Sequence, residues 1–266
     1  MSDRGFDAGA PFRLVSPTPG GTAPHQPTAD RATFHLEQRD AVEWLGSLGD
    51  SSVDLVVTDP AYESLEKHRA VGTTTRLKKS RASSNDWFEI FPNARFPSLF
   101  AELYRVLRNN SHLYLFCDQE TMFVAKPVAE QAGFRFWKAL IWDKELLGMG
   151  YHYRCRHELI LFFEKGKRKL NDLSIADVIR HARVRAGYPA EEPVAVSEIL
   201  VRQSSDPGAL VIDPFMGSGS VGVAATGLGR HFAGNDLCRE AVDTAGRRLG
   251  EAGARRDECR YDAARR

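Results

Sequence analysis

The 266-residue sequence predicts an α/β fold: a mostly parallel, twisted sheet with helices on both faces and an antiparallel hairpin at one edge. Three observations predict it. Short β-branched and apolar runs alternate with helical patterns from Thr33 to Gly250, as expected of strands joined by helical crossovers. Two of these runs, VDLVVT and ALVID, stop abruptly at an aspartate. Two further apolar runs, FRFWKALIW and ELILFFEK, flank the Gly-containing basic loop KELLGMGYHYRCRH and pair as a hairpin.

Taken in order, residues 1–31, rich in Gly, Pro, Thr and Ala, read as a disordered arm. One domain then spans 32–251. The strand TFHLEQ leads through Asp40, an N-cap residue, into the helix AVEWLGSL and the strand VDLVVT, which ends before Asp59. Residues 63–93 form a polar, basic insertion too long for a plain connector. The helix SLFAELYRVLR, the strand HLYLFC and the helix TMFVAKPVAEQA precede the hairpin, whose Phe136, Trp137 and Trp142 read as core. After a second insertion at 165–188 come the helix PVAVSEILVRQ, the strand ALVID, a glycine-rich turn, the helix VGVAATGL, the strand HFAGND and the helix EAVDTAGRRLG. Residues 252–266 read as a basic tail.

Composition is that of an ordinary soluble domain, 42% hydrophobic and 27% charged. No apolar stretch approaches the ~20 residues needed to span a bilayer, and the first residues lack a signal peptide's apolar core, so a cytoplasmic protein without membrane partners is expected. The four cysteines form no CxxC pair, which argues against a zinc site or a disulfide framework. The net charge of +1 hides two basic runs, each carrying +5: residues 65–81 and residues 133–169. Two such runs in a near-neutral chain point to a polyanion, with nucleic acid the expected partner.

Two motifs carry chemistry. The first is DPAY at 59–62. Asp-Pro alone is a common turn opener, so its meaning depends on its partner. The second is DPFMGSGSVG at 213–222, where Asp213 ends a strand and Gly217-Ser218-Gly219 opens a small-residue helix. Glycines let a backbone approach a ligand closely, and Asp236, 19 residues past Gly217, stands where a ribose-binding acid is expected. The turn alone leaves a nicotinamide dinucleotide and S-adenosylmethionine both open.

Together, DPAY followed by DPFMGSG resembles the amino-group DNA methyltransferases of the β class, in which the catalytic motif precedes the cofactor motif. IWDK at 141–144, GMG at 148–150, HELI at 157–160 and YPAEEPVAVSEILV at 188–201 extend the resemblance, which covers residues 33–250. It implies a Rossmann-like methyltransferase fold, S-adenosylmethionine as cofactor and double-stranded DNA as substrate, and it permits a homodimer. The chain carries no signal for or against a cognate restriction nuclease.

The resemblance also implies roles. Asp59 and the carbonyl of Pro60 would accept the two N–H bonds of an exocyclic amine and free its lone pair for attack. Tyr62 would stack on a flipped-out base, repaying part of the flipping cost. Asp59, Asp213, Phe215, Gly217, Ser218, Gly219, Ser220, Asn235 and Asp236 would line the cofactor. The two serines serve equally well as helix caps. An aspartate at position 59 leans towards adenine N6; cytosine N4, an RNA amine and a catalytically inactive DNA-binding module are the alternatives. Lys67, Arg69, Arg76, Lys78, Lys79, Arg81, Arg154 and Arg156 would contact DNA phosphates. Two positions depart from the family pattern: Ala61 replaces a second proline, and Glu192 stands where a lysine is usual, either weakening the cofactor site or facing solvent.

Overall fold

The computed structural model describes residues 32–64, 89–148, 153–185 and 191–257. In chain order these form β1 (Thr33–Gln38), α1 (Ala41–Ser47), β2 (Val53–Thr58), a 3-10 turn (Asn93–Arg95), α2 (Phe96–Val106) and β3 (Leu107–Cys117). Then follow α3 (Gln119–Gln131), β4 (Arg135–Asp143), β5 (His157–Lys165), β6 (Val178–Arg180) and α4 (Val194–Ser204). The series closes with β7 (Leu210–Asp213), α5 (Ser220–Gly227), β8 (His231–Asp236), α6 (Arg239–Glu251) and β9 (Arg255–Arg256). The strands make one sheet in the order β6-β4-β5-β3-β2-β7-β8-β1-β9. Among these strands only β5 runs antiparallel to its neighbours, β3 and β4.

Strand alternation divides the core. On β2, Val56 faces one side while Leu55 and Val57 face the other, and all three are fully buried. Val56 joins Trp44, Phe96, Leu99, Phe100 and Leu103 beneath α1, α2 and α3. Leu55 and Val57 join Val196, Leu200, Val221 and Ala245 beneath α4, α5 and α6. A two-faced strand of this kind is the buried parallel strand that a continuous β-branched run encodes.

The chain leaves β7 towards β8 but leaves β2 towards β3, on the other side. Crossovers in opposite directions place their helices on opposite faces, which opens a crevice at the carboxyl ends of β2 and β7. Both aspartate-terminated strands therefore end at one place.

The structure departs from the sequence reading at three points outside the site. The hairpin is not the sheet edge, because Val178–Arg180, inside the 165–188 insertion, forms β6 and pairs in parallel with β4. Part of the expected tail is in the sheet, with β9 pairing to β1 and Asp257 donating its N–H to the Phe34 carbonyl. Trp137 is not core. It is 54% exposed and its indole N–H donates to Glu164 Oε2 at 2.9 Å. A break in the β4–β5 register between Phe136 and Lys138 explains it, since such an irregularity turns one side chain out of the alternation. Trp142 is buried as expected.

Candidate active site

Asp40 caps α1, its carboxylate accepting from the N–H groups of Val42 and Glu43. Arg95 grips the same carboxylate with two 2.7 Å hydrogen bonds, tying the end of the 63–93 insertion to the sheet. Phe91 bridges to Tyr62 beside this anchor and meets the Phe215 ring edge-on at 5.1 Å. The DPAY turn and the glycine turn are thus packed against one another.

Parallel pairing of Leu55 with Val211 and Val56 with Ile212 sets Thr58 beside Asp213. Thr58 donates its hydroxyl to Asp213 Oδ1 at 2.7 Å, and Phe215 N–H donates to the same oxygen at 3.0 Å. Asp213 is only 3% exposed, and burial pushes its carboxyl up to about 7 despite both hydrogen bonds. At the end of β8, Asp236 accepts from Gly217 N–H at 2.9 Å and Cys238 N–H at 2.8 Å. Asn235 is wholly buried and clamps the Arg39 backbone and the Pro214 carbonyl.

The glycine turn needs its glycines. Gly219, at φ +80°, is the N-cap of α5, and a Cβ there would sit 2.8 Å from the Cβ of Ala245. Gly217, at φ +50°, has open space where its side chain would be. Ser218 and Ser220 do not cap the helix. Arg248 of α6 instead donates to the Ser218 carbonyl at 2.9 Å and Ser218 Oγ at 2.6 Å, with Ser220 Oγ at 3.4 Å. Its other terminal nitrogen pairs with Glu191 at 2.7 Å, so one arginine joins the glycine turn to the segment entering α4.

Sequence reasoning passed over an acidic cluster around Asp59. The β4–β5 register sets Trp142 opposite Glu158, and Lys144 then pairs with Glu158 at 2.6 Å. Tyr62 donates its hydroxyl to Glu158 Oε1 at 3.3 Å. Burial first, then the charges of Glu158 and Asp213, push the Asp59 carboxyl well above the usual range, while Lys144 opposes them. Glu192 is half-buried, with its Oε1 shut off from solvent. Burial, and then Asp59, Glu158 and Asp213, push its carboxyl well up too. Lys144 and Glu158 lie within IWDK and HELI, so the motifs flagged the place without the roles.

Lys67, Arg69, Arg76, Lys78, Lys79 and Arg81 lie outside the described residues. Of the second basic run, Arg156 is held by Asp143, Lys138 by Asp177 and Arg168 by Asp206, while Lys165 donates to the carbonyls of Tyr104 and Leu107. Arg154 is exposed and lies against the carbonyls of Leu147 and Gly148. Two of the pairing acids, Asp177 and Asp206, come from outside the run, which stays basic. Tyr62 is also only 7% exposed, so it displays no open ring face for a base.

The residues fit a cationic nucleoside ligand. Asp59 Oδ1 and Glu192 Oε1 are buried and accept no hydrogen bond from the described residues, a costly state that a positive group would relieve. Gly217 has open space where a side chain would be, and Asp236 stands at the end of the next strand. Among the described residues no group of side chains is arranged to hold a metal ion, and no helix is long and apolar enough to cross a membrane.

Comparison with known proteins agrees with this geometry. The type II methyltransferase M.HpaI of Haemophilus parainfluenzae is 25% identical over 238 residues, covering 79% of this chain and 72% of its own length. Two solved structures share the fold. The TTHA0409 protein of Thermus thermophilus, solved with S-adenosyl-L-methionine, superposes with TM-score 0.62 at 21% identity, over 85% of this chain and 99% of its own. PvuII DNA methyltransferase, described as cytosine-N4-specific, gives TM-score 0.62 at 15% identity, over 82% and 86%. The family model described as DNA methylase, which groups N6 and N4 methyltransferases, matches residues 53–247. The chain thus belongs to the amino-group DNA methyltransferases, enzymes that draw their methyl group from S-adenosylmethionine.

Proposed function

We propose that this methyltransferase acts on the N6 amine of adenine in duplex DNA, on a base turned out of the helix, with Asp59 and the Pro60 carbonyl as the two acceptors. The observation that carries the reading is the buried, unpartnered Asp59 Oδ1 at the carboxyl end of β2, an acceptor held ready for a donor.

An exocyclic amine is a poor nucleophile because its lone pair is delocalised into the ring. Two acceptors, one on each N–H, draw the nitrogen towards tetrahedral geometry and release that pair. Proline at position 60 fixes φ and helps aim its carbonyl. When bound, S-adenosylmethionine supplies an electrophilic methyl group on a sulfonium. The protein then acts by placement, worth several kcal/mol when reacting atoms lie ~3–3.5 Å apart, and by fixed electrostatics.

Lys144 opposes burial, Glu158 and Asp213, which together disfavour the charged form of Asp59, and Thr58 fixes Asp213. For Tyr62 to stack on a base, the turn at 62–64 has to open and its hydroxyl leave Glu158. Ala61 accepts the Phe91 N–H at 2.7 Å through its carbonyl, a bond that proline at 61 would also permit. The departure at 61 therefore removes rigidity and not the turn's anchoring. Arg154 and the basic residues of 65–81 are proposed phosphate contacts, which position a duplex without reading it.

Adenine is favoured by aspartate at position 59, and cytosine N4 is the second reading, favoured by the fold shared with PvuII methyltransferase. Methyl transfer from labelled cofactor to unmethylated genomic DNA, digested to nucleosides, separates them. Label in N6-methyladenine is expected. Label in N4-methylcytosine would correct the base, and label in RNA alone would overturn the substrate.

A further inference from the structure

We propose that Glu192, together with Asp59, reads the positive charge of the cofactor's sulfonium, so that the enzyme holds S-adenosylmethionine in preference to its neutral-sulfur product. The inference deepens the reading of Asp59 as the amine acceptor and rests on it.

Three observations support it. The first is positional. Asp59 Oδ1 and Glu192 Oε1 are the only two carboxylate oxygens among the described residues that are buried with no hydrogen-bond partner. They come from separate elements, one at the end of β2 and one just before Pro193, the N-cap of α4. Glu192 is also held in place, because its neighbour Glu191 is fixed by Arg248, which grips the glycine turn.

The second is charge. Asp59, Glu158 and Asp213 all act on Glu192, and the cation that opposes them is Lys144, already paired to Glu158 at 2.6 Å. Buried carboxylates without compensation are costly, so a cation that arrives among them is repaid by the repulsion it relieves. Burial is the first cause of the rise in both carboxyls, and the charges of the neighbouring acids add to it.

The third is the geometry of transfer. An amine held on Asp59 has to lie ~3–3.5 Å from the methyl carbon it attacks, and that carbon is bonded to the sulfonium. The cation therefore sits beside the acid that holds the amine. As the nitrogen lone pair forms the N–C bond, the C–S pair returns to sulfur, leaving a neutral thioether. The amine sheds a proton, which the uncompensated carboxylate pair can take. Substrate and product thus differ in the charge that these two acids face.

The test is calorimetric titration of the full chain, without DNA, with S-adenosylmethionine, S-adenosylhomocysteine and sinefungin, which carries an ammonium in place of the methylsulfonium. The wild type is expected to prefer both cationic ligands over the homocysteine by tenfold or more. Glu192→Gln is expected to shrink that preference at least fivefold by weakening the cationic pair, and Glu192→Asp to keep most of it. The free Glu192→Gln protein should melt no lower than wild type, since a buried repulsion has been removed. An unchanged preference in Glu192→Gln, equal weakening of all three ligands, or a wild type indifferent to ligand charge would each overturn the proposal. Methyl transfer by Asp59 variants is measured separately with DNA, so failure of the amine-acceptor reading shows there and not in these ratios.

Discussion

Asp213→Asn removes a buried charge and keeps its hydrogen bonds. The aspartate is 3% exposed and accepts from Thr58 and Phe215 through one oxygen, a role an amide oxygen can fill. Burial raises its carboxyl from 3.8 to about 7 in the folded protein. Between those values the folded state holds a proton that the unfolded chain has lost, so stability falls as pH rises and levels off above about 7. Some two of those pH units lie between pH 5 and pH 8, at ~1.4 kcal/mol each, which gives an upper bound of about 3 kcal/mol. Urea denaturation of both proteins at pH 5 and pH 8 isolates the effect, because Asp59, Glu192 and Asp236 titrate in both. Wild type is expected to lose about 1–3 kcal/mol more than Asp213→Asn over that interval. Equal losses would refute the reasoning, since Asp213 would then be ionised throughout.

Gly219→Ala combines a left-handed φ with a Cβ 2.8 Å from Ala245, and is expected to cost about 2–4 kcal/mol by thermal or urea denaturation. Arg248→Met removes the ion pair to Glu191 and the hydrogen bonds to the glycine turn; S-adenosylmethionine affinity by calorimetry should fall by about fivefold or more while DNA affinity holds. Lys144→Met removes the cation that opposes the rise of the Asp59 carboxyl. The single-turnover methylation rate against pH should move to higher pH, because Asp59 then ionises later.

Much of the fold was legible because its central strands β2 and β7 are continuous β-branched and apolar runs, whose burial on both faces needs no knowledge of neighbours. Both motifs ended such runs, so the sequence located the crevice too. What it hid depends on packing. Val178–Arg180 is three residues in a polar segment, with too little pattern to announce a strand, and only β4 beside it makes it one. Trp137 looked like core because it is aromatic on an apolar strand, and a register break turned it out. The charge of the basic run at 133–169 looked wholly unpartnered from outside because Asp177 and Asp206, which pair with Lys138 and Arg168, lie far from them in sequence. Glu192 was visible as an unusual residue, yet its burial beside Asp59 follows from where α4 docks on the sheet, which no local pattern records.

The claim that Asp59 activates the amine is tested most directly by single-turnover methyl transfer to DNA at saturating cofactor, comparing wild type with Asp59→Asn. The substitution keeps size and one acceptor oxygen but loses the charge that draws on the N–H. A fall in the chemical step of about 10²–10³-fold, with DNA binding unchanged, is the expected result, matching the loss of one preorganised transition-state contact. A rate within about threefold of wild type would contradict the account and remove Asp59 from the chemistry.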